Sequence, residues 1–435
     1  MLSFLTNRKT TDCDGSSRRD FLKVGTLGMT GLMLPDLLRA RAAASATGQA
    51  TRNTSVVWLW LSGGPTHVET FDPKMSAPAE FRSVTGAVKT NVAGVEIGAT
   101  LPKIAQVADK MAFVRSFAHS NSGHGGGTHW VMTGYNFPPA DNAGGQSKPG
   151  YGSILARHRG ATNTATGLPT YVRMNNILGD GASWLGATYS PFDVAGNARN
   201  NMNLQVPATR LNNRRDMLRS FDTINREVDR TGMTQGMDSF ETQAFDLLMG
   251  RARETFDVTR EDQRTLQAYG TGTLSRQLLL ARRLCESGVG FVTLNYGGWD
   301  MHGNIGNAMR SRSPELDHAV STFVTDVANR GLQNNILLVI SGEFGRTPRV
   351  NANAGRDHWA PLSTLALSGG GLKMGQVVGE SSSRIETPKS RPISPQDLMA
   401  TVFHTLGIPQ NLHFNDPTGR PQPMVNGGRP IAELV

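Results

Sequence analysis

Residues 289–304 read VGFVTLNYGGWDMHGN. The first eight are apolar and β-branched with no regular polar alternation, the pattern of a strand buried on both faces. Two glycines follow, then Asp300 and His302 one residue apart, then Gly303. Strands buried on both faces belong to parallel sheets covered by helices, and such sheets place ligands beyond the carboxyl ends of their strands. A carboxylate and an imidazole among glycines at that point therefore predict both the fold class and the place of a site.

Five further runs share the pattern: SVVWLWLS (55–62), MAFVRSF (111–117), LPTYVRM (168–174), NILLVISG (335–342) and STLALSG (363–369). Helical stretches lie between them. In SPELDHAVSTFVTDVANRG (313–331), Ser313 reads as an N-cap, Pro314 as first-turn proline and Gly331 as terminator, with Leu316, Val320, Phe323, Val324 and Val327 as the apolar stripe. SPQDLMATVFHTLG (394–407) repeats the scheme with Ser394, Pro395 and Gly407. Alternating strands and helices predict an α/β fold, a sandwich around a mostly parallel sheet. Residues 208–288 are polar and helix-prone, and read as a helical insertion or lid outside that sheet.

The chain has 435 residues, 38% hydrophobic and 18% charged, enough to bury a sizeable core. Arg18–Arg19 precede Asp20-Phe21-Leu22-Lys23, a short apolar run over 24–38 and small residues near Ala42–Ala46, which predicts a twin-arginine export signal over 1–44 and a periplasmic or extracellular location. The apolar run is too short and glycine-rich to span a membrane. Cys285 is then the only cysteine left and reads as a buried apolar residue. Seven Lys/Arg against four Asp/Glu in residues 1–44 account for +3 of the formal +9, leaving about +6. That charge favours an anionic substrate. No basic run interleaved with aromatics appears, which argues against nucleic acid.

Six of the ten histidines follow the predicted strands: His67, His119, His124, His129, His302 and His358. Solvated or core histidines have no reason to collect there, so the pattern points to a metal or phosphate-type site. A hard carboxylate with a borderline imidazole suits zinc, manganese or iron. Asp300, His302 and His358 are expected to converge, with Glu343 and His124 lining the same crevice. Arg346 either binds an anionic group or clamps an acid such as Glu343 or Asp357. Asp72, before Pro73, reads as a turn acid, His67 is open between site and surface, and His404 reads as packing or solvent. Trp299 and Trp359 are expected to wall the pocket.

Four motifs in order, GGPTHVETFDPK (63–74), WDMHGN (299–304), SGEFGRTP (341–348) and GRDHW (355–359), resemble the DUF1501 family within the alkaline phosphatase-like superfamily. The resemblance covers nearly all of the chain after the signal. It implies an alkaline phosphatase-like three-layer α/β/α sandwich and a two-metal centre beside a hydroxyl nucleophile, as in phosphatases and sulfatases. It assigns Asp300, His302 and His358 to one metal, with Glu343 where the superfamily has a ligating Asp and Phe344 where it has a His. The first strand ends in Ser62-Gly63-Gly64, without the usual acid. Counting back nine residues from Thr133-Gly134 puts His124 at the nucleophile position, as a phosphohistidine nucleophile or a metal ligand, with Thr128 as a possible hydroxyl. Two functions follow: an exported metal-dependent hydrolase of phosphate or sulfate esters, acting on an anionic small molecule or polysaccharide, or a non-catalytic metal-stabilised binding or assembly protein.

Overall fold

The computed structural model describes residues 54–136, 147–194 and 252–435. The proposed export signal and the first part of the proposed insertion, 208–251, lie outside the described residues.

All six apolar runs join one eight-stranded sheet. In chain order its strands are β1 (Ser55–Trp60), β2 (Ala112–Val114), β3 (Tyr171–Met174), β4 (Phe192–Asp193), β5 (Phe291–Asn295), β6 (Ile336–Ser341), β7 (Leu365–Gly369) and β8 (Gln376–Val378). Their order across the sheet is β8-β2-β7-β6-β1-β5-β3-β4. β1 lies at the centre, parallel to β5 and β6 with Val57 opposite Val292 and Leu338. Only β7 runs against its neighbours β6 and β2. The carboxyl ends of β1, β2, β5 and β6 thus share one edge, and antiparallel β7 starts from that edge. The loop from 342 to 364 accordingly never leaves it.

Alternate residues of the strands feed two cores. Val57, Leu59, Val292, Leu294, Leu338 and Ile340 face one side, under helices α3 (Thr273–Glu286) and α4 (Ile305–Asn329). Val56, Trp58, Phe291, Leu337 and Val339 face the other, under α1 (His124–Thr133), α2 (Tyr151–Arg159) and α5 (Pro395–Leu406). This is a three-layer α/β/α sandwich with a mostly parallel sheet. Helix α5 begins with a capping box between Ser394 and Asp397 and stops at left-handed Gly407 (φ 69°).

Two sequence expectations need correction. Helix α4 begins at Ile305 rather than after Ser313, and Pro314 lies inside it. An interior proline costs about 3 kcal/mol. The helix crosses it because Ile305, Met309 and Ser313 extend the buried stripe of Leu316 and Val320 by more than two turns, and each buried apolar side chain contributes roughly 1.5–3 kcal/mol. The described end of the expected lid is also no lid. Helix α3 lies on the sheet with Leu274, Leu278, Leu279 and Leu284 at 0% exposure. Its Arg282 is buried against Glu261, Glu286 and Asp326, which answers the polar composition that suggested an outlying segment. Cys285 is buried beside it, and that burial pushes its thiol up to about 12.

Leu278→Ala separates a core helix from a lid. A cavity in the core costs about 2–5 kcal/mol, so urea unfolding should show a loss of that size. A change below about 0.5 kcal/mol, the range of surface substitutions, would remove α3 from the core.

Candidate metal centre

The loops at the sheet edge bring His124, Asp300 and His358 together, one ligand atom from each lying within 4.8 Å of the others. Asp300 is the hub. Its Oδ1 lies 2.9 Å from His302 Nε2 and 3.2 Å from His358 Nε2, and its Oδ2 lies 3.5 Å from His124 Nε2. His302 Nε2 and His358 Nε2 face each other at 3.1 Å. The cluster opens to solvent, with side-chain exposures of 46% at His124 and 24% at His358.

The partners behind the rings decide their tautomers. His302 Nδ1 lies 2.8 Å from Asp357 Oδ1, His358 Nδ1 2.9 Å from the Ser122 carbonyl, and His124 Nδ1 2.8 Å from Glu343 Oε1. Each of these atoms only accepts when the acids are ionised, so each assigns the ring proton to Nδ1. All three Nε2 lone pairs then face the Asp300 carboxylate and one another with no donor among them. That arrangement repels itself unless a metal ion or a proton enters, and a carboxylate or carbonyl behind each ligating imidazole is how proteins orient metal ligands. The donor set of imidazole nitrogen and carboxylate oxygen fits zinc, manganese or iron.

Charge follows from the same contacts. The hydrogen bond His124 donates to Glu343, aided by the charges of Glu343 and Asp300, raises the His124 pKa. Burial and the Arg346 charge lower that of His358. Burial pushes the Asp300 carboxyl up, but Arg346 and the neighbouring histidines together hold it at about 2.

Arg346 is 0% exposed and spends its guanidinium inward. It donates to the carbonyls of Gly64 (2.8 Å) and Arg356 (3.0 Å), and also to the Gly63 carbonyl and Asp300 Oδ1. Of the two roles left open for Arg346, these contacts are those of a clamp, and its acid is Asp300 rather than Glu343 or Asp357. Glu343 lines the same recess as His124 and Asp300, but as a metal ligand it is corrected: its Oε1 accepts from Gly63 N (2.8 Å) and holds His124, while its buried Oε2 has no hydrogen-bond partner. Thr128 donates its hydroxyl to the His124 carbonyl at 2.6 Å, so helix α1 occupies the proton a nucleophile has to give up.

Gly63, at φ 111°, is where β1 ends without an acid. A Cβ there would stand 2.4 Å from Asp300 N, so the close approach of the two loops admits only glycine. Phe344 fills the neighbouring space, its ring 4.3 Å from His358 and 5.1 Å from His124.

The other three strand-end histidines do not reach the cluster. His67 and His119 are buried, and His129 Nδ1 faces the Tyr135 carbonyl at 3.1 Å. Asp72 pairs with Arg115 at 3.5 Å, a structural acid, and His404 is exposed. Trp299 is a core residue at 0% exposure and Trp359 bonds the Glu386 carbonyl, so neither lines the recess beside the cluster; Trp60 does. Sequence reasoning missed the orienting roles of Asp357 and Ser122, although Asp357 stands next to His358.

The sequence matches, over residues 53–435, the family described as "Protein of unknown function (DUF1501)". The chain belongs to the DUF1501 family. No curated relative matches it. Among solved structures it is similar to the phosphonate monoester hydrolase of Silicibacter pomeroyi, at 12% identity over 87% of this chain and 76% of that one, with TM-score 0.38. A Pseudoalteromonas sp. sulfatase gives 13% identity over 86% and 70%, with TM-score 0.38. The C-terminal periplasmic domain of EcEptC from Escherichia coli, in complex with zinc, gives 11% identity over 87% of each chain, with TM-score 0.34.

Burial lowers His67 to about 3 and His119 to about 4. In the unfolded chain both titrate near 6.5, so below that pH the unfolded state takes up protons that the folded state refuses. Stability falls as pH drops from about 6.5 toward 4, by up to about 1.4 kcal/mol per pH unit for each group. His67→Gln should flatten this slope when urea unfolding is compared at pH 7 and 5 in chelator. An unchanged slope would show that His67 is not buried neutral.

Proposed function

We propose that this DUF1501 protein is an exported hydrolase of phosphate or sulfate esters that uses a divalent metal ion held by His124, Asp300, His302 and His358. The observation carrying this reading is the convergence of three imidazole lone pairs on one carboxylate, each ring locked from behind by an acceptor. A divalent ion held there supplies Lewis acidity toward an ester oxygen and toward water.

The chain's own residues do the rest. Arg346 fixes Asp300, and Glu343, Asp357 and the Ser122 carbonyl fix the rings. Phe344 keeps water from the inner side of His124 and His358. With Thr128 bonded into its helix and His124 turned to the cluster, water is the nucleophile. Only one ion is used: Gly63 cannot be exchanged for an acid, and the Arg346 guanidinium already supplies a fixed positive charge beside Asp300.

Export rests on Arg18 and Arg19, and among the described residues no helix is long and apolar enough to cross a membrane. Replacing both arginines with lysine should strand the protein in the cytoplasm on fractionation; undiminished export would remove the twin-arginine route.

Protein purified after export should carry about one equivalent of divalent metal by elemental analysis. His358→Ala should fold, lose that metal, and lose turnover of 4-nitrophenyl sulfate or phosphate esters by at least about a hundredfold. Metal at one equivalent with no turnover of any ester would leave the binding-protein reading. Wild-type protein that takes up no zinc, manganese or iron would end both.

A further inference from the structure

A recess of about 440 Å³ adjoins the metal cluster. Ile177, Leu178 and the edge of Trp60 supply its apolar side. Ser62 and Asn295 supply neutral polar groups, and the charges on its wall are the carboxylates of Asp300 and Glu343. Among the described residues, no lysine or arginine lines it. Leu178 is 52% exposed, and only two other large hydrophobics, Val84 and Val435, are left to solvent among the described residues. Leu178 leaves its side chain open at the rim beside Ile177 and Trp60, and ligand recesses combine such apolar walls with a few placed polar atoms.

The charge balance narrows the other half of the ligand. Asp300 and Glu343 bring two negative charges, and a divalent ion cancels them. The three imidazoles are neutral, and buried Arg346 adds one positive charge. Exposed Asp357, bonded to His302, takes part of that away. The centre therefore carries at most one net positive charge. It balances a single negative charge and leaves a doubly charged group with no cation to meet its second.

We infer that the recess selects a singly charged ester whose organic part is uncharged and apolar, rather than a dianionic monoester or a polyanionic chain. This deepens the hydrolase reading and rests on it for the word ester. A sulfate monoester and a phosphate or phosphonate diester share this chemistry.

The test is calorimetric titration of the full-length, metal-loaded protein with three stable anions. Benzenesulfonate is singly charged and aromatic, methanesulfonate is singly charged without the ring, and phenylphosphonate at alkaline pH carries the ring with two charges. Benzenesulfonate should bind at least about tenfold more tightly than either of the others. Leu178→Asn should erase its advantage over methanesulfonate while leaving methanesulfonate within about twofold. Tightest binding by phenylphosphonate would overturn the charge argument. Equal binding of the two sulfonates, or a Leu178→Asn variant that keeps the preference, would overturn the apolar surface. Turnover of 4-nitrophenyl sulfate against bis(4-nitrophenyl) phosphate tells the two ester classes apart. If neither is hydrolysed while the sulfonate preference holds, the hydrolase reading fails and the selectivity of the recess stands.

Discussion

The buried guanidinium of Arg346 is the constraint on which the site depends. It joins three loops that are distant in the chain: Gly63–Gly64 after β1, Asp300 after β5, and the 342–360 loop through the Arg356 carbonyl. A fully buried positive charge is tolerated only when its donors are all met and an acid compensates it. Asp300 is that acid. The same carboxylate that orders the metal cluster thus neutralises the group that holds the loops together, and replacing Asp300 strands the buried guanidinium.

A fully buried ion pair lies further from the opening. Arg356 and Glu69 are both at 0% exposure and 2.9 Å apart, with Ser83, Thr85 and Val84 N completing the carboxylate. Breaking such a pair from one side costs about 3–5 kcal/mol. It ties the loop after β1 to the loop that carries His358, so the ring of His358 is placed by a scaffold more than by its own exposed surroundings. The GGPTHVETFDPK motif contributes to the site through this staple and through Gly63, while its His67 and Asp72 serve burial and pairing.

The strands were legible because each is a continuous apolar run, and hydrophobic periodicity survives any tertiary context. The start of α4 was not, since Pro314 after Ser313 is a strong local signal and the stripe from Ile305 that outweighs it is sparse. Asp300, His302 and His358 could be picked from their position after strands in an open sheet, a topological rule that needs no side-chain detail. Position does not say where a side chain turns. His67, His119 and His129 also follow strands, and Arg346 and Glu343 look like ligand-facing residues in a motif. What separates them is which buried acceptor each finds, and that is fixed by loops meeting across 200 or more residues of chain, as Gly63 meets Glu343.

The carboxylates that orient the rings also limit what the centre can attract. Glu343 and Asp357 lock the Nδ1 protons of His124 and His302, and each brings a negative charge. His358 is held instead by an uncharged carbonyl, beside the positive Arg346, and its affinity for a proton falls while that of His124 rises. With Asp300 held at about 2, its carboxylate stays ionised wherever the rings can be neutral. Proton competition at the cluster is therefore a contest for the imidazoles alone. Among those whose affinity is shifted, the ring backed by a buried carboxylate surrenders its Nε2 to acid before the ring backed by a carbonyl. Orientation by a full charge gives a firm ring and a stronger donor, at the cost of a site that empties at higher pH and carries less net attraction for an anion.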